Sequence, residues 1–144
     1  MGCSSDTELE IACDAIAAEL LMPEEETREL VRRLGSASPE KLKTIAASFG
    51  VSLQVAARRV TKDLRMWTGA IGLWKSNNDV KQMWMVGTRF WKDRTPQFAA
   101  FQYALDTQDV VKTKESFVEG DLVIPVRLEM LHLGKGLILG TVAQ

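Results

Sequence analysis

The chain has 144 residues, 46% of them apolar and 26% charged, and carries a net charge of −1. That is a globular profile of one ordinary domain or two or three small pieces, and it argues against a disordered chain. No apolar run nears the roughly 20 residues of a membrane-spanning helix, the N-terminus lacks the basic and apolar parts of a signal peptide, and the two cysteines, Cys3 and Cys13, make no disulfide framework. A reducing, cytoplasmic location without membrane contact is the expectation.

The charge is unevenly spread. Residues 1–35 hold nine acids against three bases, and residues 36–66 hold two against six. Residues 67–96 are again net basic and residues 97–144 net acidic. A basic segment between acidic ones is either a solvated helical surface or a surface for an anionic partner.

The first helix is expected from about Asp6 to Met22. Ser5 with Glu8, or Thr7 with Glu10, fits a capping box. Leu9, Cys13, Ile16 and Leu20 recur at helical spacing and predict a buried stripe, with Cys13 a small core residue. Pro23 stops this helix or opens the next. A second helix, Glu24 to Leu34, begins with three glutamates and ends with Arg32 and Arg33, which suits the helix dipole, and Gly35 follows as its C′ residue.

In "SPEKLKTIAASFGVSLQVAARRVTKDL" two short helices flank a glycine turn, the pattern of a helix-turn-helix. Ser38 caps the first, with Pro39 in its first turn, and Leu42, Ile45, Ala46 and Phe49 form its apolar face. Ser52 caps the second, with Val51, Val55, Ala56 and Val60 inward. Beyond Arg65 the segments "MWTGAIGLW" and "KQMWMVGTRFW" flank the turn-like "KSNNDV" and predict a hairpin. "TPQFAAFQYAL" predicts a helix capped by Thr95 with Pro96 at its start. "DLVIPVRLEMLHLGKGLILGTV" predicts a second hairpin turning at Gly134-Lys135-Gly136. Its first strand puts Leu122, Ile124, Val126, Leu128 and Met130 on one face, and Pro125 marks an edge or a bulge. The expected architecture is α+β: N-terminal helices (1–35), a helix-turn-helix (36–66) and a small antiparallel ββαββ module (67–144).

Glu10 and Asp14 are one helical turn apart. Such like-charged neighbours cost a few tenths of a kcal/mol, roughly, which a bound cation would reverse. Solvation of both is the plainer reading of the spacing. The string around them, "ELEIACDAIAAELLMP", resembles the zinc-peptidase helix of the ImmA/IrrE family, Glu-x-x-Ala/Cys-Asn/Asp-x-Phe/Ile-Ala-Ala-Glu-Leu-Leu-Met-Pro. Downstream, "LKTIAASFGVSLQVAARRV" is similar to the same family's helix-turn-helix segment, so the resemblance covers about residues 8–65.

The resemblance implies a zinc site in which a His-Glu-x-x-His helix supplies two ligands and the general base. A glutamate supplies the third, leaving zinc a position for the attacking water. Glu10 matches that third ligand, and Asp14 a partner that orients a ligand histidine. This chain has no His-Glu-x-x-His; its one histidine, His132, lies near the last hairpin turn and reads as structural. The isolated chain is therefore expected to have no catalytic residues of its own, to hold no zinc and to be catalytically silent. It reads as the C-terminal regulatory region of a metallopeptidase. In the family the usual substrate is a helix-turn-helix transcriptional repressor, whose cleavage switches on genes of a mobile element or a stress response.

A second reading is a small DNA-binding or ligand-sensing regulator without peptidase activity. The second helix of the helix-turn-helix is expected to expose Gln54, Arg58, Arg59 and Lys62, residue types that read base edges or pair with phosphates. The last module concentrates Trp67, Trp74, Trp84, Met85, Phe90 and Trp91. Most are expected in its core and some exposed or covered by a partner, because strand neighbours alternate faces.

Overall fold

The computed structural model describes the backbone of residues 2–144 and the side chains of residues 7–144. Its elements run α1 (Gly2–Leu21), α2 (Glu24–Leu34), α3 (Pro39–Phe49), α4 (Leu53–Arg58), β1 (Ala70–Asn77), β2 (Asp79–Gly87), α5 (Ala99–Asp106), β3 (Val111–Glu119), β4 (Leu122–Gly134) and β5 (Leu137–Ala143). The class is α+β, as the sequence patterning indicates.

α1 begins at Gly2, so Ser5 and Thr7 are internal to it and neither is its N-cap. The side chains of Ser5 and Cys3 lie outside the described residues. α2 spans the predicted residues, and Gly35 closes it with a positive φ of 89° and an N–H donated to the Val31 carbonyl. The Ser38 hydroxyl accepts from the Lys41 N–H at the start of α3, and Gly50 takes the left-handed conformation at its end. The Ser52 hydroxyl accepts from the Val55 N–H, and α4 continues through a π-helical turn, Arg59–Asp63. Ala56, Ala57 and Val60 point inward; Val55, expected to do so, is exposed.

The five strands form one antiparallel sheet in the order β2-β1-β5-β4-β3. The expected ββαββ module is therefore ββαβββ. The strand absent from the sequence-based expectation is β3, where Val111, Thr113, Glu115 and Phe117 alternate with Lys112, Lys114 and Ser116. Its inward face is half polar, so hydropathy alone does not mark it. Pro125 lies on β4, an inner strand, but β5 reaches only as far as the Arg127–Ala143 pair. At Pro125 the strand is locally an edge, which is where a residue without an N–H is tolerated.

Both faces of the sheet are covered. On one face Trp67, Ile71 and Leu139 pack with Met22, Val31, Leu42, Ile45, Ala56 and Val60 of the helices. The Trp67 Nε1–H donates to the Gly35 carbonyl at 3.1 Å and pins this face to the α2–α3 connection. On the other face Trp74, Trp91, Phe98, Phe101, Phe117, Leu128 and Met130 close around α5. Alternation along β1 sends Trp74, with Ala70, to the α5 side, and Trp84, paired with Leu73, faces the helical side. The tryptophans on alternate faces are thus absorbed by two cores, with Trp84 half-buried, rather than left for a partner.

α5 starts at Ala99, four residues after Thr95, and has no side-chain cap of its own. The Glu115 carboxylate on β3 accepts the Ala99 and Ala100 N–H groups at 2.8 and 2.9 Å and takes the place of the expected Thr95 cap. Two of the helix's orphan donors are thereby satisfied across the fold.

Candidate functional site

Glu10 and Asp14 lie on α1, and α1 stands away from the body. From Thr7 to Leu21 every side chain is exposed except the half-buried Ala18. At about 100° per residue, Ala18 and Met22 turn toward the rest of the protein. Leu9, Cys13, Ile16 and Leu20 lie on the far side, while Glu10 and Asp14, exposed, stand on the i, i+4 row that runs on to Ala18 and Met22. The predicted buried stripe is therefore an exposed one: Leu20 is 77% exposed, and Cys13 is a free, exposed thiol rather than a core residue. The spacing is helical, but among the described residues no element covers that face.

What fixes α1 is its C-terminal end. The fully buried Met22 plugs into the core beside Leu42 and Val60. The Arg59 Nε–H donates to the Met22 carbonyl at 3.0 Å, and Arg59 Nη2 donates to Glu19 Oε2 at 2.6 Å. The other Glu19 oxygen accepts the Glu24 N–H, the first of α2, at 3.2 Å. That backbone hydrogen bond, and then the Arg59 guanidinium, hold the Glu19 carboxyl below the usual carboxylate range. Glu19 and Met22 thus join α1, α2 and the π-helical turn, which gives "ELLMP" a structural task.

Arg59 is accordingly buried, at 7% exposure, with its guanidinium committed to Glu19, Met22 and, at 3.7 Å, Asp63. The sequence expectation that it faces outward with Gln54, Arg58 and Lys62 is corrected here; those three are exposed. Adjacent arginines on a helix point about 100° apart, so only one of Arg58 and Arg59 lies on the outer face.

A tight zinc site needs three or four convergent protein ligands. Among the described residues no three His, Cys, Asp or Glu side chains come together in that way. Glu10 and Asp14 offer one exposed carboxylate pair. His132, the sole histidine, accepts the Gly136 N–H on Nε2 at 3.1 Å and staples the β4–β5 turn. The described residues alone therefore form no zinc centre, and no chemical step follows from them.

Among the described residues no helix is long and apolar enough to cross a membrane. No curated protein matches the chain. Residues 2–61, which contain the exposed helix, its Glu19–Arg59 anchor and the two helices around Gly50, match the peptidase family model described as the IrrE N-terminal-like domain. Over this part, which is less than half of its length, the chain is similar to that peptidase family.

Proposed function

We propose that this chain supplies the third-ligand helix and the C-terminal regulatory region of an ImmA/IrrE-like zinc metallopeptidase, and is catalytically silent by itself. The observation that carries this reading is the exposed face of α1. Two rows of it are uncovered, Glu10 and Asp14 in line with Ala18 and the apolar Leu9, Ile16 and Leu20, all inside the stretch that matches the peptidase family. Covering such side chains is worth about 1.5–3 kcal/mol each when burial is complete, so a segment that seats on this face is strongly favoured. A seated His-Glu-x-x-His helix would bring two imidazoles to Glu10 and leave Asp14 to orient one of them. The substrate in this reading is a helix-turn-helix transcriptional repressor, and the setting is the cytoplasm, in mobile-element or stress-response control.

The test joins a His-Glu-x-x-His helix from a family peptidase ahead of residue 2 and measures bound zinc and repressor cleavage. Both should appear in the joined protein and be lost in its Glu10→Ala variant. A joined protein that folds but takes up no zinc overturns the reading.

The alternative, DNA contact without peptidase activity, draws on the exposure of Gln54, Arg58 and Lys62. It requires salt-dependent binding to duplex DNA.

A further inference from the structure

The sheet ends in two edges, β2 and β3, that face each other across one cleft. Its walls are Asp79–Gln82 of β2 and Glu115–Glu119 of β3, and its volume is about 870 Å³. Trp91, Phe98 and Phe117 form its apolar floor, each 5% exposed. Trp91 is held by its Nε1–H donated to Gln82 Oε1 at 3.1 Å. Residues from all five strands pack on the single cluster around α5, so the sheet curls like an unfinished barrel and the cleft is its seam.

Strand direction decides what can close that seam. Every neighbouring pair in β2-β1-β5-β4-β3 is antiparallel, so β2 and β3 run the same way. One extended segment between them, opposite in direction to both, completes an all-antiparallel ring of six strands. The segment before α5 already imitates such a strand at one point. The Gln97 side chain donates to the Val80 carbonyl at 3.2 Å and accepts the Val80 N–H at 3.3 Å, satisfying outward groups of β2 as a strand would. Gln97 is exposed, and a side-chain amide is readily displaced by backbone. On the other edge Val118 is 67% exposed, an apolar residue on an uncovered strand.

We propose that this seam is a receptor for an extended, basic peptide segment of a partner protein, bound by strand addition to both edges at once. At about 3.3 Å per residue, the walls accept roughly four or five residues. Alternate side chains of such a segment face Trp91 and Phe117 and are apolar. The others face the rim, where Asp79, Asp93 and Glu119 outnumber Lys81 and Arg94, the Glu115 carboxylate being held by α5, and are lysine or arginine. This rests on residues separate from α1, so its failure leaves the peptidase reading untouched.

The experiment uses the full chain and a synthetic pool of hexapeptides with lysine at alternate positions and varied apolar residues between them. Amide hydrogen exchange reads the site. Bound peptide should slow exchange at Asp79–Gln82 and at Glu115–Glu119 together. Methylating alternate backbone nitrogens of the best peptide should weaken it by roughly tenfold or more, the loss expected for missing ladder hydrogen bonds. Replacing its lysines by glutamates should weaken it as well, and Gln97→Ala should bind at least as tightly as the parent chain. Protection of one edge only, undiminished binding of the methylated peptide, or no binding by any member of the pool overturns the proposal.

Discussion

Arg59 and Glu19 meet at 2.6 Å across 40 residues of chain, and this contact sets the direction in which α1 leaves the body. The Arg59 side chain also satisfies the carbonyl of the fully buried Met22. Arg59→Met keeps the apolar stem but leaves that carbonyl without its donor. Chemical denaturation should show a loss of about 1–3 kcal/mol, the cost of an unmet buried polar group. An unchanged midpoint would mean that Arg59 is not the anchor.

The same contact predicts a dependence on acid. The folded Glu19 carboxyl lies below its ordinary value, so its stabilising contribution is fully present above the unfolded pKa and is lost as pH falls through the folded one. Hydrogen-exchange protection factors of α1 and the first turn of α2, taken relative to the intrinsic rate at each pH, should therefore be steady at neutral pH and fall below the usual carboxylate range. In Glu19→Gln, where nothing titrates at this position, that local acid response should be absent.

Glu115 acts on α5 in place of a local cap. Glu115→Ala removes the acceptors of the Ala99 and Ala100 N–H groups and should destabilise the fold by about 1 kcal/mol, the usual cost of a lost cap. Thr95→Ala should have no comparable effect. Thermal unfolding of the two variants side by side distinguishes the cross-strand cap from the local one.

Gly72 is held small by its neighbour. A Cβ there would lie 2.5 Å from Cη2 of the fully buried Trp74. Gly72→Ala should cost about 1–3 kcal/mol through overpacking and shift the tryptophan fluorescence. A neutral result would show that the α5 core has room to yield.

Much of this fold was legible in the sequence because the signals were local. Ser38 with Pro39, Ser52 and Gly50 mark helix ends through their own backbone, and the Gly134-Lys135-Gly136 turn marks a hairpin. Where partners are distant, local reading failed. β3 was missed because Thr113 and Glu115 break its apolar alternation, and Glu115's task as a cap depends on α5, which precedes it in the chain. Arg59 could not be told from Arg58 by composition; only the tertiary position of Met22 and Glu19 separates them. The stripe on α1 was identified correctly as apolar, but its burial depends on what seats on it. Glu10 and Asp14 stand out only through the family motif, since two carboxylates at one-turn spacing carry little meaning alone.

The central claim is that Glu10 completes a zinc site once a His-Glu-x-x-His helix is seated on α1. Its most direct measurement is zinc stoichiometry by atomic absorption on the full chain joined to such a helix, beside the same protein with Glu10→Ala. The account predicts one tightly held zinc in the first and loss of tight binding in the second, with both proteins folded. Equal zinc in both, or none in either, would contradict it.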